Sequence, residues 1–329
     1  MHLRRAVQNA TRSFASHSSP GVVPNQQPHV MNAFQVFDRN AKKLQKDRSV
    51  THPRGSSSTT VDYLRDEVAD RLMERLHDIK REFKTLLDLG SGPGHFSKLL
   101  EANKVGMVTM LDSSAKLLHR DPDSEFEVPV ERIHADEERL LEAIPPNSQE
   151  AIVSCLNLHW VNDLPGVLVQ AERALKPDGV FMCAMFGGET LFELRTALQL
   201  AEVDREGGIS PHVSPMTQSQ DMSNLLTRAE FKLTAVDVDE VQITYPSMWE
   251  LLDDIRSMGE SNAIIGRRNI IHRDTLTAAS AIYKALHGNP DGTIPATFQI
   301  IYMIGWKYHP SQRPALKRGA GKVNMQDIL

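Results

Sequence analysis

The sequence predicts an α/β fold: a seven-stranded, mostly parallel sheet with helices on both faces and a helical insertion before the last strand. Three observations support this prediction. From Lys84 onward, short apolar runs alternate with helical patterns, and a glycine-rich loop follows the first run. Two more apolar runs lie near the end of the chain, separated by roughly fifty residues with helical patterns, far more than an ordinary connection. Because parallel neighbours need a crossover connection, such alternation favours a parallel sheet covered by helices.

The predicted strands are apolar runs bounded by turn residues or acids. They are TLLDLG (85–90), VGMVTMLD (105–112), ERIHAD (131–136), EAIVSCLNL (150–158), GVFMCAMF (179–186), FKLTAVDVDEV (231–241) and FQIIYMIGWK (298–307). The residues from Lys176 to Gly179 predict a sharp turn between a helix ending at Leu175 and a strand from Val180 to Met185.

A helix is predicted before the first strand, because apolar residues recur there every three or four positions. These residues are Val61, Leu64, Val68, Leu72 and Leu76. We expect five segments: a presequence (1–30), a flexible N-terminal segment (31–60), the main domain (61–310), a helical lid inserted at about 244–297, and a C-terminal tail (311–329). The helical patterns of the lid run over 248–258 and 275–286.

Composition excludes several classes of protein. The chain is 40% hydrophobic and 24% charged, with a formal net charge of -5 and no basic stripe, so we expect a globular protein that does not bind nucleic acid. Its two cysteines, Cys155 and Cys183, cannot form a disulfide framework or a zinc pair. No apolar run reaches the ~20 residues of a membrane-spanning helix, so we expect at most peripheral membrane contact.

The first 37 residues have the composition of an organellar transit peptide. They include Arg4, Arg5 and Arg12 and several serines, but no Asp or Glu. We therefore expect import into the mitochondrial matrix and removal of residues 1–30 from the mature protein, the alternative being a tail without a targeting role.

The glycine-rich loop is the strongest functional motif. It places Gly90, Gly92 and Gly94 between a strand and a predicted helix, which allows a ligand to approach the backbone closely. Asp112 ends the next strand 22 residues after Gly90, where an acid can accept hydrogen bonds from both hydroxyls of a ribose. The GxGxG spacing departs from the dinucleotide pattern, and Asp88 suits a cationic ligand better than a phosphate. The pattern favours S-adenosylmethionine as the cofactor.

These motifs resemble those of the class I methyltransferases, which have a Rossmann-like fold. The resemblance includes DLGSGPG (88–94), Asp112, Asp136 and LKPDGV (175–180). The stretch SCLNLHWVNDLPG (154–166) is similar to the malonyl-carrier-protein methyltransferases of biotin synthesis. The stretch AMFGGETLFELRTALQLAEVDREGG (184–208), with SPHVSP, MGESNA, HRDTL and IGWKYH, is similar to a family of mitochondrial assembly factors of complex I (NADH:ubiquinone oxidoreductase). Hydroxylation of an arginine in a complex I subunit is assigned to that family.

The resemblance implies a set of cofactor-binding residues. Asp88 and the three glycines would contact the amino-acid and ribose side of the cofactor, and Asp112 the ribose hydroxyls. Asp136 would bind the adenine amino group, and Asn157 would lie beside the reactive end of the cofactor.

Catalytic residues are harder to assign, because methyl transfer needs mainly alignment of the reactants. An arginine acceptor calls for acids that can bind its guanidinium, although each such acid has a solvated surface charge as its alternative role. The available acids are Glu189, Glu193, Asp253, Asp254 and Glu260. We take Glu189 and Glu260 as the candidates.

His159 follows the fourth strand at the ligand-binding edge, so it is a candidate proton acceptor, with Trp160 as a pocket wall; core packing is the alternative. Tyr245, Met248 and Trp249 are further candidates to line an acceptor cavity.

Hydroxylation ordinarily requires a metal or a flavin, which methyltransferase folds do not supply. His134 and Asp136 form an HxD pair, two-thirds of an iron-binding triad, but Asp136 already has an expected role in adenine binding. We therefore predict no metal site.

Three functions remain open from the sequence. The first is an enzyme that acts on an arginine of a complex I subunit, by hydroxylation as the resemblance implies or by methylation as the motifs suggest. The second is a non-catalytic assembly chaperone. The third is a carrier-protein methyltransferase.

Overall fold

The fold was examined in a computed structural model that describes residues 35–51, 58–268 and 270–313. Within these residues the strands are β1 Leu86–Leu89, β2 Val108–Asp112, β3 Val130–His134, β4 Gln149–Cys155, β5 Leu175–Phe186, β6 Lys232–Tyr245 and β7 Ile294–Trp306. The α-helices are α1 Arg39–Val50, α2 Tyr63–His77, α3 Ala115–Leu118, α4 Leu140–Ala143, α5 Leu164–Ala174, α6 Phe192–Glu206, α7 Ser219–Arg228, α8 Met248–Ser257 and α9 Arg273–His287. Short 3-10 helices cover Ser58–Val61, Ser97–Leu99, Asp123–Glu125, Glu137–Arg139 and Leu158–Trp160.

The strands form one mixed sheet in the order β3-β2-β1-β4-β5-β7-β6. Strands β1 to β5 are parallel, and β7 runs antiparallel to both of its neighbours. The predicted seven-stranded, mostly parallel sheet is therefore confirmed. The strand order reverses between β1 and β4, and ligands of open α/β sheets bind at the carboxyl edge beside such a reversal.

Helices cover both faces of the sheet, as predicted. On one face, α2 buries the expected stripe of Leu64, Val68, Leu72 and Leu76 against the sheet. On the other face, α5 and α7 pack against a second apolar cluster. Both β1 and β2 are buried along their whole length, because a central parallel strand has helices above and below it.

The expected turn from Lys176 to Gly179 is instead a bulge inside β5. The strand begins at Leu175, and its pairing with β4 passes from Gln149↔Leu175 to Ala151↔Val180. Two local preferences explain the difference: Pro177 favours extended backbone at the residue before it, and Asp178 takes a left-handed φ of 65° that absorbs the extra residues.

The expected flexible segment 31–60 contains a helix, α1. The carboxylate of Asp38 caps it by accepting a hydrogen bond from the amide of Ala41 at 2.9 Å. The buried side chains of this helix are Lys42, Lys46 and Ser49, all polar. Because α1 has no apolar stripe, hydrophobic periodicity could not reveal it.

The helix expected after the glycine-rich loop is reduced to one 3-10 turn, Ser97–Leu99. The backbone is already extended at Leu100, with ψ of 131°, and the amide of Lys104 turns back to the carbonyl of Glu101 at 2.9 Å. The chain therefore has no room for a further helical turn before β2.

The insertion between β6 and β7 holds α8 and α9, so both predicted helical patterns are helices in the structure. Helix α9 packs along α6. A search of the described residues finds no helix with the length and apolarity needed to cross a bilayer. The presequence 1–30 and the tail after residue 313 lie outside the described residues.

Candidate functional site

The glycine-rich loop turns sharply at the carboxyl end of β1. Its three glycines all have left-handed backbone, with φ of 72° at Gly90, 55° at Gly92 and 93° at Gly94. The amide of Gly90 donates to the carbonyl of Leu111 at 2.7 Å, which ties the loop to β2. A Cβ atom on Gly90 would lie 1.9 Å from the side chain of Asn157, so this position excludes any side chain.

Asp112, at the end of β2, organises the loop with its carboxylate. One oxygen accepts a hydrogen bond from the amide of Gly92 at 3.0 Å, and the other accepts one from the amide of Ser114 at 2.7 Å. The side chain is fully buried and also accepts hydrogen bonds from Lys46 Nζ, at 3.3 and 3.0 Å. The position predicted for a ribose-binding acid is therefore occupied by an acid that Lys46 neutralises.

Asp88 on β1 and Asn157 after β4 each have a buried polar atom without a described partner. Asp88 accepts a hydrogen bond from the hydroxyl of Ser97 at 2.6 Å, while its second oxygen has no hydrogen-bond partner among the described residues. Asn157 accepts one from Lys46 at 2.7 Å, and its Nδ2 also lacks a described partner. Burial, assisted by the negative charge of Asp112, raises the pKa of Asp88 to about 7. Buried polar atoms usually have hydrogen-bond partners, so these two positions call for a water molecule or a ligand.

The acids after β3 are bound by Arg39 of α1. Asp136, the predicted adenine contact, accepts a hydrogen bond from Arg39 at 2.9 Å and one from the amide of Glu138 at 3.1 Å. The neighbouring Glu137 is fully buried and pairs with both Arg39 and Lys46. Burial opposes its ionisation, but these two cations outweigh burial and hold the pKa of Glu137 below its usual range.

Two of the predicted catalytic residues meet at the neighbouring strand end. Glu260 accepts hydrogen bonds from Trp160 Nε1 at 2.6 Å and from Arg65 at 2.6 Å, and it lies 3.3 Å from His159 Nε2. Burial raises the pKa of Glu260, but its bond to His159 and the charges of Arg65 and Lys42 lower it more, so Glu260 is ionised.

His159 itself is buried and neutral. Burial lowers its pKa, and the nearby Glu260 only partly compensates. Its Nδ1 atom has no hydrogen-bond partner within the described ranges, but it is buried, and His159 lines neither of the cavities beside Glu260.

The third predicted catalytic residue, Glu189, lies elsewhere. Its side chain is exposed in a separate groove, and its amide contacts Gln299 Oε1 at 3.3 Å. The remaining candidate acids are also engaged away from the cluster: Glu193 with Thr297, Asp254 with Tyr63, and Asp253 with Arg256. Of the five acids, the fold brings Glu260 alone to His159, because Glu260 follows α8 directly.

A cavity of about 530 Å³ opens beside this cluster, between α6, α8 and the loop that follows α8. Its walls are largely apolar, and they include Leu194, Leu198, Leu252 and Ile255, with Trp160 and Glu260 at one end. Glu260 also lines the small cavity next to the glycine-rich loop. This carboxylate therefore separates the loop from the larger cavity. Trp249, a predicted lining residue, is instead 45% exposed.

Sequence reasoning missed Arg39, Lys46, Arg65 and Glu137. Three of them are cations on helices that carry no motif, and they reach the site only through tertiary packing. The one available signal was the spacing of Lys42 and Lys46, which puts both on the same face of a helix.

His134 and Asp136, the HxD pair, are not joined by a third metal-binding side chain in the described part of the chain. His134 Nε2 contacts the carbonyl of Ser113 at 3.0 Å, whereas Asp136 binds Arg39. The residues that the structure describes include no group of three or more His, Cys, Asp or Glu side chains that could hold a metal ion.

Comparisons with known proteins agree with this architecture. Residues 61–236 match the family model described as a methyltransferase domain. A solved structure from Bacillus halodurans, described as a methyltransferase, shares the fold with a TM-score of 0.53 at 16% identity, covering 73% of this chain and 99% of the other.

Curated relatives give a narrower assignment. The chain is 46% identical to rat arginine-hydroxylase NDUFAF5, mitochondrial, covering 90% of this chain and 84% of the relative. It is 44% identical to the zebrafish protein of the same name, covering 98% of this chain and 94% of the zebrafish protein. It is 32% identical to a malonyl-[acyl-carrier protein] O-methyltransferase of Laribacter hongkongensis, covering 79% of this chain and 87% of that protein. This chain, which carries a methyltransferase domain of the Rossmann-like class I fold, therefore belongs to the family of the mitochondrial arginine hydroxylase NDUFAF5.

Proposed function

We propose that this chain is an S-adenosylmethionine-binding enzyme of the mitochondrial matrix that hydroxylates an arginine of a complex I subunit during early assembly of the complex. Its relatives at 44–46% identity are named mitochondrial arginine hydroxylases. The observation that carries the proposal is the position of Glu260, an ionised acid between the glycine-rich loop and an apolar cavity. Contact with the matrix face of the inner membrane is at most peripheral in this proposal.

The residues of the loop region suit the proposed cofactor. Asp112 offers a carboxylate for two ribose hydroxyls, and the glycines leave the backbone accessible. The unpartnered Nδ2 atom of Asn157 lines the same site and suits the amino-acid end. We assign the buried carboxylate of Asp88 to that end as well, and Asp136 to the adenine. When bound, S-adenosylmethionine supplies a sulfonium cation and an activated methyl group.

The larger cavity suits an arginine side chain. Its apolar walls can pack against the three methylenes, while Glu260 and the face of Trp160 attract the guanidinium by charge pairing and a cation–π contact. His159 stays neutral and contacts Glu260 through Nε2, so we assign it the role of proton acceptor through that carboxylate.

Methylation of a protein or carrier protein is the second candidate. The methyltransferase domain over residues 61–236 and the relatives at 32–33% identity favour it. A non-catalytic chaperone that binds a complex I subunit remains the third function considered, and the experiments below separate all three.

The first test measures cofactor binding. We expect wild-type protein to bind S-adenosylmethionine in titration calorimetry and Asp112→Asn to bind roughly 10- to 150-fold more weakly, since hydrogen bonds to a charged group contribute roughly 1.5–3 kcal/mol. The exposed Asp70→Asn serves as the matched control. Equal affinity of the two variants for S-adenosylmethionine would show that Asp112 does not bind the cofactor.

The second test identifies the reaction. We expect complex I subunits from mitochondria lacking this protein to have lost one oxygen atom on a specific arginine by mass spectrometry. Loss of a methyl group would instead support the methyltransferase, and no missing modification would support the chaperone.

Re-expression of Glu260→Gln should fail to restore the modification, whereas the exposed Asp253→Asn should restore it. Full restoration by Glu260→Gln would exclude this acid from substrate binding.

A further inference from the structure

Helix α1 inserts two lysine side chains into the proposed ligand site. Lys42 and Lys46 lie one helical turn apart, so both point from the same face. They are only 2% and 6% exposed, although lysine is rarely buried in proteins. Each one ends on groups that would otherwise be free to bind a ligand.

Lys46 occupies the acceptors expected for a ribose. Each carboxylate oxygen of Asp112 has two lone pairs, of which backbone amides use one. Lys46 Nζ takes the remaining one on both oxygens and also donates to Asn157 at 2.7 Å. A ribose diol can therefore bind Asp112 only after Lys46 has left.

The space around these groups is also closed. The cavity lined by Lys46, Asp112 and the glycine-rich loop holds about 20 Å³. That volume is enough for about one water molecule and far too small for a nucleoside.

Lys42 occupies a second subsite, next to Glu260. Its Nζ lies 3.2 Å from the ring centroid of Trp160 and donates to the carbonyls of Gly259 at 3.0 Å and Ser261 at 2.8 Å. An aromatic face, two carbonyls and a nearby carboxylate form a receptor for a cation. This subsite forms the end wall of the large cavity.

We propose that α1 is an internal occupant of the ligand site: the amino group of Lys46 holds the place of the ribose diol, and the amino group of Lys42 marks the subsite for the cationic group of the substrate. The inference rests on the proposed binding of S-adenosylmethionine. Cofactor and substrate then bind by displacing α1. Each apparent affinity equals the intrinsic affinity multiplied by the fraction of molecules in which the helix is open.

The affinity test uses Lys46→Met, which removes the ammonium but keeps the length of the side chain. We expect it to bind S-adenosylmethionine about tenfold more tightly than wild type, as it would if the helix were open in about one-tenth of wild-type molecules. Arg48→Met removes a positive charge from an exposed position of the same helix and should leave the affinity unchanged.

Equal or weaker binding by Lys46→Met would overturn the proposal that the cofactor displaces Lys46. Lys46 would then either have no effect on cofactor binding or contact the cofactor itself. If neither wild type nor Lys46→Met binds the cofactor, the proposed function has failed, and the inference with it. The two failures are therefore distinguishable.

A second measurement needs no variant. In wild-type protein, saturating S-adenosylmethionine should accelerate hydrogen exchange of the amides of residues 42–50 while those of β1 and β4 stay unchanged. Slower exchange in α1 would mean that the helix closes over the cofactor instead of leaving, and would overturn the proposal.

The substrate subsite is tested with N-acetylarginine methylamide and its neutral citrulline counterpart as probes. We expect Lys42→Met to bind the arginine probe several-fold more tightly than wild type, because the competing amino group is gone, and to bind the citrulline probe no better. Equal binding of the arginine probe by wild type and variant would reject the Lys42 position as the substrate subsite.

Discussion

At the scale of single residues, Asp88 on β1 and Asp112 on β2 are two buried aspartates that differ in the hydrogen bonds they receive. Asp112 accepts hydrogen bonds from two backbone amides and a lysine, so both of its oxygens have donors. Asp88 is equally buried but has the hydroxyl of Ser97 as a donor and an oxygen without a described partner. Its pKa therefore rises to about 7, and its charge is sensitive to pH in the physiological range.

Asp88 should make the protein less stable as the pH rises. Because the folded pKa is about 7 and the unfolded pKa 3.8, the unfolded state releases its proton first. The free energy of unfolding therefore decreases as the pH rises from 3.8 to about 7. We expect the advantage of Asp88→Asn over wild type to grow by roughly 2–3 kcal/mol from pH 5 to pH 8, at about 1.4 kcal/mol per pKa unit.

Urea unfolding at the two pH values measures this effect, with the exposed Asp70→Asn as control. A constant difference between Asp88→Asn and wild type would show that Asp88 titrates normally.

At the scale of elements, α1 and α2 differ in what holds them to the fold. Helix α2 buries a leucine and valine stripe, so its position was predictable from periodicity. Helix α1 buries Lys46, which pairs with acids on β2 and after β3, and Lys42, which donates to backbone carbonyls after α8. Hydrophobic periodicity gives no sign of such contacts. The glycine-rich loop was equally predictable, because its glycines are required by the local backbone.

Stability should depend strongly on the apolar face of α2. We expect Leu72→Ala, at a fully buried position, to lower the free energy of unfolding by about 2–5 kcal/mol through lost packing and the cavity left behind. Leu200→Ala, at a position 47% exposed on α6, should change it by less than about 0.5 kcal/mol. Denaturant unfolding at neutral pH compares the two, and similar losses would contradict the burial of α2.

At the scale of the whole molecule, the N-terminal presequence remains a prediction from composition. We expect deletion of residues 1–30 to abolish import into isolated mitochondria and to leave thermal stability unchanged, because their sequence contains no apolar periodic pattern that could pack into a core. Replacing Arg4, Arg5 and Arg12 with Gln should also block import, since the positive charge is lost. Edman sequencing of the mitochondrial protein checks processing; a mature chain that still begins at Met1 would contradict removal.

The order of elements, the glycine-rich loop and the acid at the end of β2 were determined by the sequence itself, because each depends on local backbone conformation or on apolar periodicity. The catalytic candidates were determined only in part. His159 and Glu260, which are 101 positions apart, meet in space, whereas Glu189 does not join them. Sequence could not separate the two glutamates, since both are acids outside any strand.

Only the tertiary structure decided which charges meet. Arg39, Lys42 and Lys46 acquire their partners when α1 packs across the ends of β1 to β4, more than sixty positions away along the chain. Local patterns carry no information on such pairs, because a charged residue has the same sequence signature whether it is solvated or buried against an opposite charge. The closed state of the ligand site therefore follows from packing and could not be predicted from the motif that forms the site.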